Sequence, residues 1–152
     1  MTPRRTPEIW LTALTACVAV AGLLLAAFPA SAPVELLVNR WAEAAFWPDA
    51  SVTPAVAAYR DWVFGVTGAV IGGWGLLMLL VVRGPFRRRE PWAWWAVALP
   101  VACWYAADTA LSLIRGVPSN AVLNTVLLVL FAVPLLGTAG TFLGAAPREG
   151  ER

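Results

Sequence analysis

Residues 62–82 read WVFGVTGAVIGGWGLLMLLVV, a run without a charged residue. Crossing the hydrocarbon core of a bilayer takes roughly 20 apolar residues of helix, and this run has that length. Within it Gly65, Gly68, Gly72 and Gly75 recur at spacings of three, four and three, which places all four on one stripe of a helix. Gly68 and Gly72 form a GxxxG, the small-residue pattern that lets two membrane helices bring their backbones together. The stripe therefore predicts a tight helix contact, either within the molecule or across a homodimer.

Three other stretches have the same character. Ile9–Phe28 and Ala121–Leu143 carry no charge, and Trp92–Ile114 carries one charged residue, Asp108. A backbone in lipid must satisfy its own hydrogen bonds, so the spans 9–28, 62–82, 92–114 and 121–143 are expected as helices. The expected fold is all-α, an integral membrane four-helix bundle, with residues 1–152 forming a single transmembrane domain. Composition agrees: 60% of the 152 residues are hydrophobic and 13% charged, with mean hydropathy +0.71, whereas soluble domains carry about 25% charged residues. The chain has no His, which removes His-based triads, His-ligated haem and the usual zinc sites. No metal site is expected, and nothing in the sequence names a cofactor. All 11 basic residues are Arg, which with the abundant Ala suggests a GC-rich bacterial genome. Cys17 and Cys103 form no CxxC pair; they are expected at similar depth, as small packing residues in apolar surroundings.

The first span also has features of a signal peptide, because Arg4 and Arg5 precede it and Ala30-Ser31-Ala32 resembles a cleavage site. Its apolar run exceeds the 7–15 residues of a signal core, and Pro33 would follow the cut directly. A retained helix is the expectation.

Short turns punctuate the other spans. Gly84-Pro85 is expected to stop the second, Pro91 to open the third, and Gly116 with Pro118 to end it, leaving Ser119 or Asn120 to cap the fourth. Pro100 and Pro134 fall inside spans and predict kinks rather than breaks. Residues 29–61 make the long connection on the outer side. There Val34, Leu37, Val38, Trp41 and Ala45 share one helical face, and Glu35, Asn39 and Glu43 the other. That pattern predicts a short helix lying in the outer interface or capping the bundle, ending at Pro48. Thr53-Pro54 then reads as an N-cap and first helical residue, so the second helix is expected to start beyond the membrane.

Asp108 is the residue with most chemical content, since a carboxylate at mid-span costs about 2.5–3.5 kcal/mol on insertion scales. Tyr105, Asp108 and Ser112 share one helical face, Arg115 continues it, and Asn124 is expected at the same depth on the fourth span. One reading is a polar pocket open to the outer face, gripping a ligand or passing a proton. The other is an interhelical clasp of Asp108 with Ser112 and Asn124. Trp74 and Trp104 lie inside spans, where they either line an apolar pocket or fill the core.

The stretches FGVTGAVIGGWG (64–75), PFRRREPWAW (85–94) and WYAADTALSLIRGVPSNAVLN (104–124) resemble small four-span bacterial inner-membrane proteins of the DoxX and BphX families. The resemblance covers about residues 59–137 and implies the four-span fold and a redox-accessory role, with no functional residue to carry over. The function expected from the sequence is a non-enzymatic structural or accessory role, acting by helix packing, by homodimerisation or through a membrane-protein partner. The alternative is a small-molecule or quinone-binding component that uses a pocket near Asp108, Tyr105 and Trp104.

Orientation follows from charge. Arg4, Arg5, Arg83, Arg87, Arg88, Arg89, Arg148 and Arg152 fall on one side of the expected spans, and Arg40, Arg60 and Arg115 on the other. The positive-inside rule puts both termini in the cytoplasm of a bacterial cell, in its inner membrane. Trp10, Trp92, Trp94 and Trp95 then form an inner aromatic belt, and Tyr59 and Trp62 an outer one. Arg87–Arg89 is explained by topology, and beside Glu90 on so short a loop it gives no reason to expect nucleic-acid binding. A periplasm-dependent phosphatase fused after Arg152 should be inactive; an active fusion would invert the topology.

Overall fold

The computed structural model describes residues 6–47 and 51–143. The chain is all-α, with no strand among the described residues, and four of its helices are long and apolar enough to cross a membrane. This is the build of a multi-pass membrane protein. The order is α1 (Thr6–Ala27), α2 (Ala32–Val34), a π turn over Glu35–Asn39, α3 (Arg40–Phe46), α4 (Pro54–Val81), a second π turn over Val82–Phe86, α5 (Pro91–Ile114) and α6 (Pro118–Leu143). Arg4, Arg5, Pro48, Arg148 and Arg152 lie outside the described residues. The two ends of the bundle are called here the arginine-loop end, at residues 83–90, and the long-loop end, at residues 28–53.

Thr53 caps α4, its Oγ1 accepting the Val56 N–H at 3.4 Å, with Pro54 as the first helical residue. The apolar helix Pro54–Phe86 has 33 residues, about 50 Å at 1.5 Å per residue, so it overshoots a ~30 Å hydrocarbon core. Gly84-Pro85 does not stop this helix. The backbone widens into the π turn, which contains Pro85; a shift in bonding register accommodates the missing proline N–H. The turn closes at Arg89, whose φ is +60°. Beyond it Arg88 and the Trp92 indole both donate to the Glu90 carboxylate, at 2.7 Å each, and hold it below the usual carboxylate range.

The loop between α5 and α6 is a Schellman turn. Val117 N–H donates to Ser112 O at 2.8 Å and Gly116 N–H to Leu113 O at 3.2 Å, with Gly116 at φ +73°. Because α6 starts directly at Pro118, Ser119 and Asn120 belong to its first turn and neither is a cap. Both α5 and α6 run through their internal prolines, Pro100 and Pro134, without a break.

α1 and α4 pack antiparallel, backbone against backbone. A Cβ added to Gly68 would lie 2.7 Å from Gly22 O, one on Gly22 2.7 Å from Gly72 Cα, and one on Gly75 2.5 Å from Ala19 N. The glycine stripe thus faces α1 within the molecule. Gly65 stands apart: its Cβ would be 3.7 Å from Ala26 O, an ordinary contact. The complementary small residues of α1, Ala19, Gly22 and Ala26, escaped the sequence reading although they too recur at spacings of three and four.

α5 and α6 form the second antiparallel pair. The two pairs join through a core at the arginine-loop half, built from Leu11, Met78, Val82, Phe86, Val97 and Phe131 with their neighbours. Phe86 stacks on Phe142 with ring centroids 4.5 Å apart. Trp94 belongs to this core rather than to an interfacial belt, because its indole N–H reaches Leu135 O at 2.9 Å in the interior. Trp10, Trp92 and Trp95 are exposed near this end, and Tyr59 and Trp62, on the first turns of α4, are exposed near the long-loop end. Cys17 and Cys103 are exposed on the outside of the helices, not packed inside as expected.

Replacing Gly68 by Ala should lower stability by about 1–3 kcal/mol, the usual cost of overpacking. At Gly73, with nothing within 4 Å of an added Cβ, the same change should be neutral or gain up to about 1 kcal/mol of helix propensity. Thermal unfolding in detergent distinguishes the two; equal effects would mean that the seam is not tight.

Candidate functional site

At the long-loop end the helix pairs diverge, and a cleft of about 460 Å³ opens between them. Leu25 of α1 and Phe64, Thr67 and Ile71 of α4 form one wall. Asp108, Leu111, Ser112 and Arg115 of α5, with Asn120 and Leu123 of α6, form the other. Val34, Val38, Ala42 and Phe46 of the 32–46 segment lie across it. The lining is apolar but for Thr67 on α4 and a few groups gathered on the α5–α6 side, the usual make-up of a small-molecule site.

Those polar groups are one hydrogen-bonded cluster. Asp108 Oδ1 accepts from Asn120 Nδ2 at 2.8 Å and stands 3.2 Å from Ser112 Oγ; Oδ2 accepts from Trp104 Nε1 at 3.2 Å. Ser112 Oγ donates to Asp108 O at 2.7 Å and accepts from Asn120 Nδ2 at 2.8 Å. Ser112 is buried, and Trp104 tilts against Trp74 with centroids 6.2 Å apart. Two neutral N–H donors, from Trp104 and Asn120, therefore fix the carboxylate as an acceptor on the cleft wall, with the Ser112 hydroxyl beside it.

The expected partner was Asn124, and the structure assigns that place to Asn120. Asn124 is buried, but its Nδ2 donates to Thr109 Oγ1 at 3.3 Å. It does lie at the depth of Asp108, but it faces the next α5 position, about 100° round the helix. Tyr105 also parts from Asp108. Its hydroxyl pairs with Thr125 Oγ1 at 3.4 Å, in a shallow groove of the α5–α6 pair that Thr109, Leu113 and Val129 also line. Of the five polar-site candidates, Asp108, Ser112 and Trp104 stand together, Asn124 and Tyr105 stand elsewhere, and Asn120 was missed.

The 32–46 segment buries one residue of its polar side, Asn39, beside the valines that line the cleft. Asn39 is fully buried and donates to Glu35 Oε2 at 2.8 Å, while Leu36 and Trp41 are 60% and 55% exposed. Arg60 of α4 holds the segment down: it pairs with Glu43, lies 4.0 Å from Glu35, and also binds Asp61 at 3.1 Å. Among the described residues no group of His, Cys, Asp and Glu could hold a metal ion. No protein-family model, curated protein or solved structure matches the chain.

Asp108 and Asn120 should be energetically coupled. A cycle of Asp108→Asn and Asn120→Leu should show about 0.6 kcal/mol and at most about 1.7, the range measured for polar pairs in membranes. The parallel cycle with Asn124→Leu should give a value near zero. Reversal of the two results in detergent unfolding would restore Asn124 as the partner.

Proposed function

We propose that this protein is a small, non-enzymatic accessory component of a bacterial inner membrane that holds an amphipathic small molecule, a lipid or a quinone, in its long-loop cleft. The observation that carries this reading is the cleft itself: a largely apolar space of about 460 Å³ between two helix pairs, with all its polar groups but Thr67 on the α5–α6 side. Sites for small molecules are typically concave and apolar with a few placed polar groups, at about 300–1,000 Å³. A non-catalytic role is favoured because the one carboxylate in the cleft is surrounded by Trp104, Ser112 and Asn120, none of which is a general base beside a nucleophile. The resemblance of residues 59–137 to the DoxX and BphX families supports an accessory place beside a redox system. The arginine asymmetry supports termini in the cytoplasm, which puts the cleft in the outer leaflet.

A second reading, association with a membrane partner or a second copy, is favoured by the exposed groove of α5 and α6 around Tyr105, Thr109, Ala121 and Thr125. Small and hydroxyl residues of this kind admit another helix closely. The glycine stripe is already occupied by α1 and does not serve that purpose.

Full-length protein purified in mild detergent should retain close to one long-chain amphiphile per chain, read by mass spectrometry of its organic extract. Ile71→Trp, which fills the cleft from the α4 side, should release that molecule without lowering the melting temperature. Purification of the unaltered protein free of any amphiphile, or retention undiminished by Ile71→Trp, would overturn the cleft as a binding site.

A further inference from the structure

The charges around the cleft narrow the class of molecule it takes. We infer that its ligand is an anionic lipid of the surrounding leaflet, with one hydrocarbon chain along the apolar walls and its acidic headgroup on Arg115. This rests on the reading of the cleft as an amphiphile site and goes beyond it by naming the headgroup charge.

Arg115 is the last residue of the α5 wall and lines the cleft, exposed at its mouth. Among the described residues it makes no ion pair and no side-chain hydrogen bond, although carboxylates are near this end of the molecule. Those carboxylates are engaged elsewhere. Glu35, Glu43 and Asp61 gather on Arg60, which is 22% exposed, and Asp108 is held by Trp104, Ser112 and Asn120. Among the described residues the cation at the mouth of the cleft is thus left without a counter-charge, and a guanidinium is well matched to phosphate oxygens. Asp108 lies seven residues earlier on the same helix, about 10 Å deeper. That separation keeps its negative charge away from a headgroup at Arg115. Between the two levels the walls offer Leu25, Phe64, Ile71, Leu111 and Leu123, which suit a hydrocarbon chain and give it no hydrogen-bonding partner. A lipid is the occupant this pattern selects over a neutral quinone, which has no charge for Arg115 to meet.

The test compares phosphatidylglycerol with phosphatidylcholine of identical chains, titrated into full-length protein in detergent and counted by native mass spectrometry. The unaltered protein should bind one phosphatidylglycerol at a several-fold lower concentration than phosphatidylcholine. Arg115→Gln should abolish that preference, weakening phosphatidylglycerol more than phosphatidylcholine, and Arg115→Lys should keep most of it. Arg88→Gln, in the loop at the other end, should leave the preference intact. Leu111→Trp, which narrows the cleft, should weaken both lipids. Equal binding of the two lipids by the unaltered protein, or a preference that survives Arg115→Gln, overturns the anionic assignment alone if Leu111→Trp still weakens both. Displacement of both lipids by a neutral quinone at lower concentration than either overturns it as well. Indifference of both lipids to Leu111→Trp overturns the cleft reading together with it.

Discussion

The close seam between α1 and α4 is the constraint on which the rest of the structure depends. Inside a membrane no hydrophobic effect drives helices together, because lipid tails are as apolar as leucine. What holds them is dispersion over many atom pairs, which falls off steeply with separation. Gly22, Gly68, Gly72 and Gly75 remove the side chains that would set that separation, and the two backbones touch. α5 and α6 have no comparable glycine seam. They are joined by side chains: the Trp94 indole on Leu135 O, the Asn124–Thr109 bond, and the Asp108–Ser112–Asn120 cluster. A thin pair and a thick pair cannot match along their whole length. They meet where Phe86, Trp94, Phe131 and Phe142 supply the bulk, and at the long-loop end, where Phe64 stays on its own wall without filling the gap, the cleft is left.

The polar cluster shows how a carboxylate is accommodated in such a place. Its insertion costs about 2.5–3.5 kcal/mol, while one interhelical hydrogen bond in a membrane returns only about 0.6 kcal/mol on average. Asn120, which donates to the carboxylate from α6, and Trp104 on its own helix therefore do not fully offset the burial by themselves. Position supplies the remainder: Asp108 is half-buried, two turns from the end of α5, and it lines an open cleft rather than the closed core at the other end. The same placement makes it useful as a fixed acceptor. Trp104 connects this cluster to Trp74 on α4, so that one indole spans from the polar group to the neighbouring helix pair.

The four long helices were legible because hydropathy and length are properties of a sequence in order, and no tertiary contact is needed to read them. The glycine stripe was legible for the same reason, as was the N-cap at Thr53. Rotation of one helix against another is not written in that order. Asn124 lies opposite Asp108 in depth, yet depth alone chose the wrong residue, since Asn120 has the azimuth that reaches the carboxylate. Tyr105 was grouped with Asp108 by a helical wheel that tolerates 60° of spread, and the two in fact serve different surfaces. The fate of Gly84-Pro85 depended on whether the backbone would end or widen, and the packing of Val82 and Phe86 into the core carries it onward through a π turn.

The 32–46 segment exposes a limit of amphipathicity as a guide. Its two faces could be separated in the sequence, but which residues turn inward depends on Arg60, 21 residues beyond the end of the Glu35–Asn39 turn. A guanidinium presented by α4 draws Glu43 and Glu35 toward the bundle, and Asn39 between them is buried while the two carboxylates stay partly exposed. Leu36 and Trp41 are then left outside, where a bilayer interface accepts them at no cost in exposed apolar area. The attachment is correspondingly light. Partly exposed ion pairs contribute about 0–1 kcal/mol each, far less than the backbone seam of α1 and α4 or the aromatic core. Among the walls of the cleft this segment is therefore the most lightly attached, because its polar tie to the bundle runs through the Arg60 ion pairs rather than through a backbone seam or an aromatic core.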